Sequence, residues 1–468
     1  MHEGRRSILR TSPLFQLFIL WSGLRLLAPS STDLKPESPT SLEQDAFRPL
    51  RTVRSVLLCG ASVRSLAESA VRAGLRPLCV DFFEDQDLTA LLSHNRGRFV
   101  GRIRSFTELP QITHSVRTSV PLLWAGGLEN HTDTLRTIAR RRPVIGADPD
   151  ILDQLRHPAR IFEWLTEAGL HVPRLATSSN IDIDCLWLRK PIHSSGGLGI
   201  RTLARSNPKE SLELTSPQPS EYLQEYIDGV PMSAMFCSHQ GRVELIGVSL
   251  QLIGWPCLGA SDFLFCGNIG PVCPPEPLIA EIRSAAECIA HKCKLQGVFG
   301  IDFMLRQGNA WFLEVNPRLT ASHMLYENVA PERQTSPSLI TRHLAALGWK
   351  AAEAPVNSRS RRRPEDWHAI QARFILWAPE DFSVPEHFAT AFESDHSLRL
   401  ADVPPSRTTV PAGSPLCSLH ASATSVTLLA ERIHSLPTTS SLSPLFSGPD
   451  IAHQVRHLFE RYERNLVR

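Results

Sequence analysis

The sequence predicts a multidomain protein of mixed α/β and α+β class, with a small open α/β domain at the front and a β-rich region at the end. Three observations support this prediction. The chain has 468 residues, enough for about three domains of ordinary size. A β-α-β pattern begins at Val53, and alternating apolar and polar residues predict a β-hairpin at 297–318.

Composition excludes several classes of protein. Hydrophobic residues make up 42% of the chain and charged residues 21%, which is typical of a globular protein. The formal net charge is only +2, so no bulk field favours nucleic acid as a partner. The ten cysteines lack CxxC spacing, which predicts reduced thiols and a cytoplasmic protein.

Residues 1–50 begin like a signal peptide, with Arg5, Arg6 and Arg10 before an apolar run at 14–21. This run is too short to span a bilayer, so no stable membrane span is expected. We interpret residues 1–50 as a disordered extension that follows a start codon assigned too far upstream.

Residues 51–147 predict the small open α/β domain. Strands at 55–60 and 77–83 flank a helix that Ser62 is expected to cap, and a Gly126-Gly127 loop is expected to expose Glu129. Asp81 stands about 20 residues after Gly60, where a dinucleotide-binding unit places its ribose-binding acid. The GxGxxG motif is absent, which disfavours a dinucleotide-dependent oxidoreductase. Asp81 and Glu129 are therefore either ligand contacts or ordinary cap and surface acids.

A glycine-rich loop follows a predicted helix at 148–173. A strand at 185–190 ends in Lys190, and Gly196, Gly197 and Gly199 come directly after it. Glycines let backbone N–H groups approach phosphate oxygens, and the lysine adds a positive charge. The loop is not a Walker A motif because a strand follows it, and an ordinary hairpin turn is the alternative.

The segments from residue 222 to residue 295 predict the strands and the helix of a larger mixed domain. A short strand at 222–229 precedes a hairpin at 233–252 that turns at Gln240-Gly241. The loop at 254–277 is long enough to serve as a lid, and an amphipathic helix is predicted at 278–295.

The hairpin at 297–318 carries the most informative polar residues. Asp302 lies on its first strand, Glu314 and Asn316 end the second, and Arg318 follows. Two carboxylates and an amide are oxygen ligands suited to Mg²⁺, and an arginine can hold a phosphate. The alternative is a hairpin with a few solvated charges.

The order and spacing of three segments resemble those of the ATP-grasp superfamily: Lys190 with the glycine loop, then QEYIDG, then Asp302 with EVNPR. The resemblance covers about residues 51–345 and is closest to the carboxylate–amine ligases. It implies a pre-ATP-grasp domain at 51–147 and a two-lobed ATP-grasp domain at 148–345. The segment 60–88 is also similar to ATP-grasp proteins that accompany methanofuran- and methanopterin-type one-carbon cofactor genes.

The resemblance implies ATP and Mg²⁺ (or Mn²⁺) as cofactors. Asp302, Glu314 and Asn316 would hold the metal, and Lys190 and Arg318 would be the catalytic residues, on the α/β- and γ-phosphates. The residues implied for ATP are Lys190, Gly196, Gly197, Gly199, Glu225, Ile227, Met304 and Leu313, of which the last four would contact adenine.

Two positions depart from the superfamily pattern. The early phosphate-binding lysine is missing from 148–173, so either Arg156 or Arg160 would replace it. Only Asp228 is near the place of the usual ribose-binding acid.

After the ATP-grasp region, residues 346–365 predict a basic linker, interpreted as a solvated connector and not a nucleic-acid patch. Residues 366–468 predict a β-rich appendage with helices at 425–433 and 451–466.

The favoured hypothesis is an ATP-grasp ligase that forms C–N bonds. ATP would activate a small-molecule carboxylate as an acyl-phosphate, and an amine would attack it to form an amide. Glu129, Asn268 and Ser322 are the candidate substrate contacts. The alternative is a non-catalytic ATP-binding regulatory or interaction protein. A homodimer is one candidate assembly, and the sequence leaves the oligomeric state open.

Overall fold

The computed structural model describes residues 50–176, 182, 184–203, 220–327, 338–352, 369–388, 398–435 and 446–467. The predicted N-terminal extension, apart from Leu50, and the basic run at 357–364 lie outside the described residues. No helix in the described part of the chain combines the length and the apolar character needed to cross a membrane.

The strands are numbered here in chain order. They are β1 (Arg51–Val53), β2 (Ser55–Cys59), β3 (Arg76–Asp81), β4 (Arg98–Arg102), β5 (Leu122–Trp124), β6 (Val144–Ile145), β7 (Leu175–Ala176), β8 (Trp187–Pro191), β9 (Arg201–Thr202), β10 (Glu221–Glu225), β11 (Val230–His239), β12 (Arg242–Ile253), β13 (Phe265–Val272), β14 (Gly297–Arg306), β15 (Asn309–Asn316), β16 (Trp349–Ala351), β17 (Ile370–Trp377), β18 (Phe382–Ser383), β19 (Leu398–Ala401), β20 (Thr409–Val410) and β21 (Pro415–Ala423). The α-helices are Arg64–Arg72, Gln86–His94, Leu109–Ile112, Thr132–Ala139, Pro149–Leu155, Pro158–Glu167, Glu276–Cys293, His323–Glu327, Leu339–Ala346, Val426–His434 and Gly448–Asn465.

The first domain is built on a five-stranded parallel sheet with the order β4-β3-β2-β5-β6. Its central strand β2 is apolar on both faces, as a strand covered by helices on both sides requires. The predicted Ser62 cap is wrong, because Val63 is the N-cap and no side chain of its own caps the helix. Asp81 is buried, and its carboxylate accepts from Val63 N at 3.2 Å and from Phe83 N at 3.1 Å, which fixes the segments on either side of β3. It is therefore not a surface acid, and its role as a ligand contact stays a prediction.

Two antiparallel sheets follow. The smaller one has the order β7-β10-β8-β9 and carries Lys190 on β8. The larger one has eight strands in the order β15-β14-β11-β12-β13-β17-β21-β19. Both predicted hairpins are confirmed as β11–β12 and β14–β15. The second turns at Gln307 and Gly308, whose φ angles of +50° and +75° suit a two-residue hairpin turn.

Two predicted segments differ from the structure. The predicted lid at 254–277 contains β13, which pairs with β12 and β17 inside the large sheet. Glycine and proline are uncommon inside strands, so the sequence predicted a loop here. The pairing of β13 with β17 involves a strand that is distant in sequence. The predicted helix at 148–173 is two helices, because Pro158 lacks a backbone N–H and begins a new helix.

The C-terminal region continues the large sheet. β17 pairs with β13, and β21 pairs with both β17 and β19. The first strand of the first domain also contacts a strand that follows the central region, since β1 pairs in parallel with β16. The first domain and the C-terminal strands therefore both contact the central region.

A buried arginine joins the first domain to the C-terminal strands. Arg64 is fully buried, and its guanidinium lies 2.9 Å from Glu68, 3.4 Å from Asp87 and 2.7 Å from Asp402. Asp402, directly after β19, also binds Arg373 of β17 at 2.9 Å. Burial opposes ionisation of Asp402, but the two arginines outweigh it and hold its pKa well below the usual range.

We expect Arg64→Met to lower the free energy of unfolding by about 3–5 kcal/mol, because it leaves buried carboxylates without a counter-charge. Denaturation by urea, followed by tryptophan fluorescence, measures the effect. Arg136→Met is the matched control: Arg136 also contacts three carboxylates, but its side chain is 35% exposed. The control substitution should lower the free energy of unfolding by less than about 1 kcal/mol. Equal losses in the two variants would contradict a special role for the buried arginine.

Candidate active site

The two carboxylates of the β14–β15 hairpin face one another. Asp302 and Glu314 are paired in register across the two strands. The Asn316 amide nitrogen donates to Asp302 at 3.0 Å and to Glu314 at 3.4 Å. The three residues predicted as metal ligands therefore meet at one point.

The environment of Asp302 suits a cation. Burial, and then the nearby charge of Glu314, raise the pKa of Asp302 to about 7. Hydrogen bonds from Ser233 and Gln251 act in the opposite direction and favour the carboxylate. Ser233 lies beside Asp302 because β11 pairs with β14 in that register. A divalent cation between the two acids would remove their repulsion.

The donor set is small. Among the described residues, no group of three or more His, Cys, Asp or Glu side chains is arranged to hold a metal. Two carboxylates and one amide leave most of the coordination shell to phosphate oxygens and water, which is the usual mode of Mg²⁺ in nucleotide sites. Rotation of the Asn316 amide would turn its oxygen toward the metal. The residues present therefore fit Mg²⁺.

Arg318 is held by an acid of the first domain. Its Nε donates to Glu129 Oε1 at 2.9 Å, and its Nη2 lies 2.7 Å from the same oxygen. Arg156 approaches that oxygen at 3.6 Å. The prediction that Glu129 is exposed is wrong, because only 1% of the residue is accessible. Burial alone would raise the pKa of Glu129, but the two arginines lower it below its ordinary value, so it is a carboxylate.

Lys190 lies across from these acids on β8. It is buried, and its ammonium donates to Gln224 at 3.2 Å. Burial opposes the charge, but Tyr222 and Glu314 outweigh it and raise the pKa of Lys190. A small cavity of about 60 Å³ separates Lys190 from Glu314. Arg156 also lines this cavity, whereas Arg160 is exposed.

The glycine loop covers this small cavity. Gly196, Gly197 and Gly199 have φ angles of +64°, +79° and +77°, which favour glycine. A Cβ on Gly197 would lie 1.8 Å from the carbonyl oxygen of Phe263. Asn130 of the first domain donates to Ser195 Oγ at 3.0 Å. The loop therefore contacts both the first domain and the segment before β13, and its residues 194–197 line the small cavity.

The other predicted site residues lie in several places. Leu313 lines the small cavity, Ile227 is buried, and Glu225 pairs with Arg174 at 3.0 Å. Met304 is half-buried on β14. The adenine roles of these residues stay predictions.

The two remaining substrate candidates are buried side chains. Asn268 on β13 is 2% exposed and donates to Ser249 at 3.4 Å. Ser322 is 3% exposed and shares a hydrogen bond of 2.9 Å with Thr320. Neither residue lines the small cavity. Their substrate roles stay predictions.

Sequence reasoning did not assign a role to several residues of the site. Ser233 and Gln251 support Asp302, Gln224 positions Lys190, and Asn130 contacts the glycine loop. A polar residue inside an apolar strand was the available signal for Ser233 and Gln251. Only the pairing of β11, β12 and β14 shows which residue they serve.

Sequence comparisons agree with this geometry. Residues 159–322 match the family model of the ATP-grasp domain. The carbamoyl phosphate synthase large chain of Kocuria rhizophila is 22% identical over 192 residues, which cover 38% of this chain. The match spans 17% of the length of that protein.

Structural comparisons extend the likeness to most of the chain. N5-carboxyaminoimidazole synthetase from Staphylococcus aureus superposes with a TM-score of 0.59 at 13% identity, covering 83% of this chain and 98% of the other. Biotin carboxylase from Campylobacter jejuni gives a TM-score of 0.58 at 14% identity, covering 81% and 90%. The predicted fold is confirmed: residues 159–322 match the ATP-grasp domain model, and most of the chain shares the fold of these structures.

Proposed function

We propose that this protein is an ATP- and Mg²⁺-dependent ligase that activates a small-molecule carboxylate and joins it to an amine. One observation carries the proposal. Lys190 and Arg318 lie near Asp302, Glu314 and Asn316, with a glycine loop over the cavity that Lys190 and Glu314 line. Opposite charges brought together in this way suit a polyphosphate and a divalent cation.

The phosphate contacts come from both lobes of the ATP-grasp domain. Lys190 would bind the α/β-phosphates, and backbone N–H groups of 196–199 would cover them. Arg156 is the better candidate for the missing lysine, since it lines the small cavity and Arg160 does not. Glu225, Ile227, Met304 and Leu313 would contact adenine. Leu313 supports this assignment because it lines the same cavity as Lys190.

Asp302, Glu314 and Asn316 would hold Mg²⁺, which when bound draws negative charge from the phosphate oxygens. Arg318 would stabilise the charge that develops on the transferring phosphoryl group. Glu129 is a positioning residue, because it fixes the arginine from the neighbouring domain.

The reaction needs two displacements. A carboxylate oxygen of the substrate bonds to the γ-phosphorus as the bond to the β–γ bridging oxygen breaks, releasing ADP. The amine nitrogen then bonds to the acyl carbon, phosphate leaves with the electron pair of its bond, and the nitrogen loses a proton. Charge stabilisation and alignment account for both steps, so no covalent protein nucleophile is required.

Known proteins support the proposal. The first matches are named carbamoyl phosphate synthase, and the structural neighbours are a carboxylase and a synthetase. The S. aureus synthetase has also been solved with ADP. Four further points are expectations from the sequence. They are an amide product, a role in one-carbon cofactor synthesis, a homodimer and a cytoplasmic location.

The test of the proposal is ADP release with candidate acids and amines, in wild type and in Glu314→Gln. We expect at least one acid–amine pair to stimulate release, and the variant to lose on the order of 100-fold in rate, because one metal ligand loses its charge. Glu163→Gln, at an exposed acid, is the control and should leave the rate unchanged. ATP binding without stimulated release by any pair would favour the non-catalytic alternative.

Glu129→Gln should lower kcat on the order of 10- to 100-fold, because the arginine loses the charge that aligns it. The KM for ATP should change less than kcat, since Glu129 lies 2.7 Å from Arg318 but 3.6 Å from Arg156, the proposed phosphate contact. Steady-state kinetics measure both constants. A rise in KM with unchanged kcat would show that Glu129 does not act through Arg318.

Gly197→Ala should weaken ATP binding by at least about tenfold, through left-handed backbone strain and the contact with Phe263 O. Gly241→Ala is the control, because Gly241 has a similar φ of +76° but no atom within 4 Å of the added Cβ. Isothermal titration calorimetry with Mg–ATP compares the two variants. Equal affinities would contradict a role of the glycine loop in ATP binding.

A further inference from the structure

A second, much larger cavity of about 880 Å³ begins at the glycine loop. Ser195 and Gly196 line both this cavity and the small phosphate cavity. The first domain contributes Phe82 and Phe83, and the C-terminal strands contribute Trp377. The volume is that of a small-molecule binding site. Its walls are largely aromatic and aliphatic, which favours an apolar ligand.

Five charged residues interrupt the apolar wall. Arg373 and Asp402 pair with each other, and Arg102 and Arg104 are exposed. Asp85, directly before the helix Gln86–His94, lines the cavity and is only 3% exposed. Its Oδ2 atom has no hydrogen-bond partner among the described residues. The indole N–H of Trp377 likewise has no partner there. A buried carboxyl oxygen without a partner is costly, and a ligand group that bonds to it would remove that cost.

The charges around Asp85 select the sign of that ligand group. Asp81, Asp87 and Asp402 act on it with the same sign, and Arg64 is the opposing cation. Arg64 is already shared by Asp87 and Asp402. Burial, and then these carboxylates, raise the pKa of Asp85 to about 9. A positively charged ligand group would relieve the repulsion, whereas a negative one would add to it.

The sheet separates the Asp85 end of the cavity from the metal site proposed above. Asp402 binds Arg373 on β17, and β17 lies four strands from Asp302 on β14. Four strand spacings correspond to about 19 Å. The glycine loop lies nearer to β17, because Gly196 O accepts from Phe265 N on β13, which pairs with β17.

We propose that this cavity binds the substrate that reacts with ATP, and that this substrate is a largely apolar molecule with a cationic amine held by Asp85 at the end remote from the metal site. This inference rests on the proposed ligase function, because that function places the reacting end beside the glycine loop. It assigns a substrate class to the cavity and a specificity role to Asp85.

Calorimetry with two probes of one shape tests the charge selection: 4-phenylbutylamine and 4-phenylbutanol, each added to the full chain with Mg–ADP. We expect the amine to bind at least tenfold more tightly than the alcohol. Asp85→Asn should weaken amine binding about tenfold and leave alcohol binding unchanged. Asp133→Asn, at a fully exposed acid, is the control and should change neither.

Mg–ADP affinity, measured in the same variants, separates the two proposals. Loss of amine selectivity with normal ADP binding would overturn the cavity assignment alone. Amine selectivity without any ADP binding would overturn the ligase function and, with it, the assignment of the amine as a substrate. Equal binding of amine and alcohol, no binding of any probe, or full amine binding by Asp85→Asn would each overturn the inference.

Stability against pH shows that Asp85→Asn is folded and that Asp85 has the stated environment. The pKa of Asp85 is higher in the fold, about 9, than the value near 4 of an unfolded chain. The folded state therefore binds the extra proton between these pH values, and Asp85 lowers stability as pH rises through that window. Asp85→Asn should raise Tm more at pH 8 than at pH 5. A Tm difference that does not grow with pH would contradict the buried, charge-repelled carboxyl on which the inference depends.

Discussion

Buried charges that must find partners determine how the parts of this protein meet. Arg64 of the first domain is fully buried, and the carboxylates that balance it include Asp402 of the C-terminal region. Glu129 of the first domain balances Arg318 of the central hairpin in the same way. An unpaired charge in such places would cost several kcal/mol, so these pairs favour one arrangement of the domains. The candidate active site and the large cavity both lie between elements that the two pairs connect.

The same constraint explains the chemistry of the cleft. Asp302 and Glu314 repel each other, and the asparagine amide and the hydrogen bonds from Ser233 and Gln251 compensate only in part. Lys190 and Arg318 keep their charge despite burial, because acids lie near them. Such a cleft suits a ligand that has both anionic oxygens and a bound cation. Mg–ATP has this combination: its phosphates would neutralise the lysine and the arginine, and its metal would neutralise the two acids.

The continuous eight-stranded sheet gives the C-terminal strands a functional place. Because β17 pairs with β13, Arg373 and Trp377 are positioned by the same sheet that carries Asp302 and Glu314. The large cavity is formed by these strands, the glycine loop and the first domain. A change in the C-terminal loops can therefore alter the large cavity without touching Lys190 or Glu314.

The sequence by itself determined the local patterns: the hairpin with Asp302 and Glu314, the lysine before a glycine loop, and the hairpin of β11 and β12. These depend on neighbours within about twenty residues, which the printed order shows directly. Tertiary structure alone decided that Glu129 is buried against Arg318, that β13 is a strand and not part of a lid, and that Asp85 faces a cavity. The physical reason is that burial and charge balance are set by residues distant in sequence: Glu129 and its arginine are separated by 189 positions.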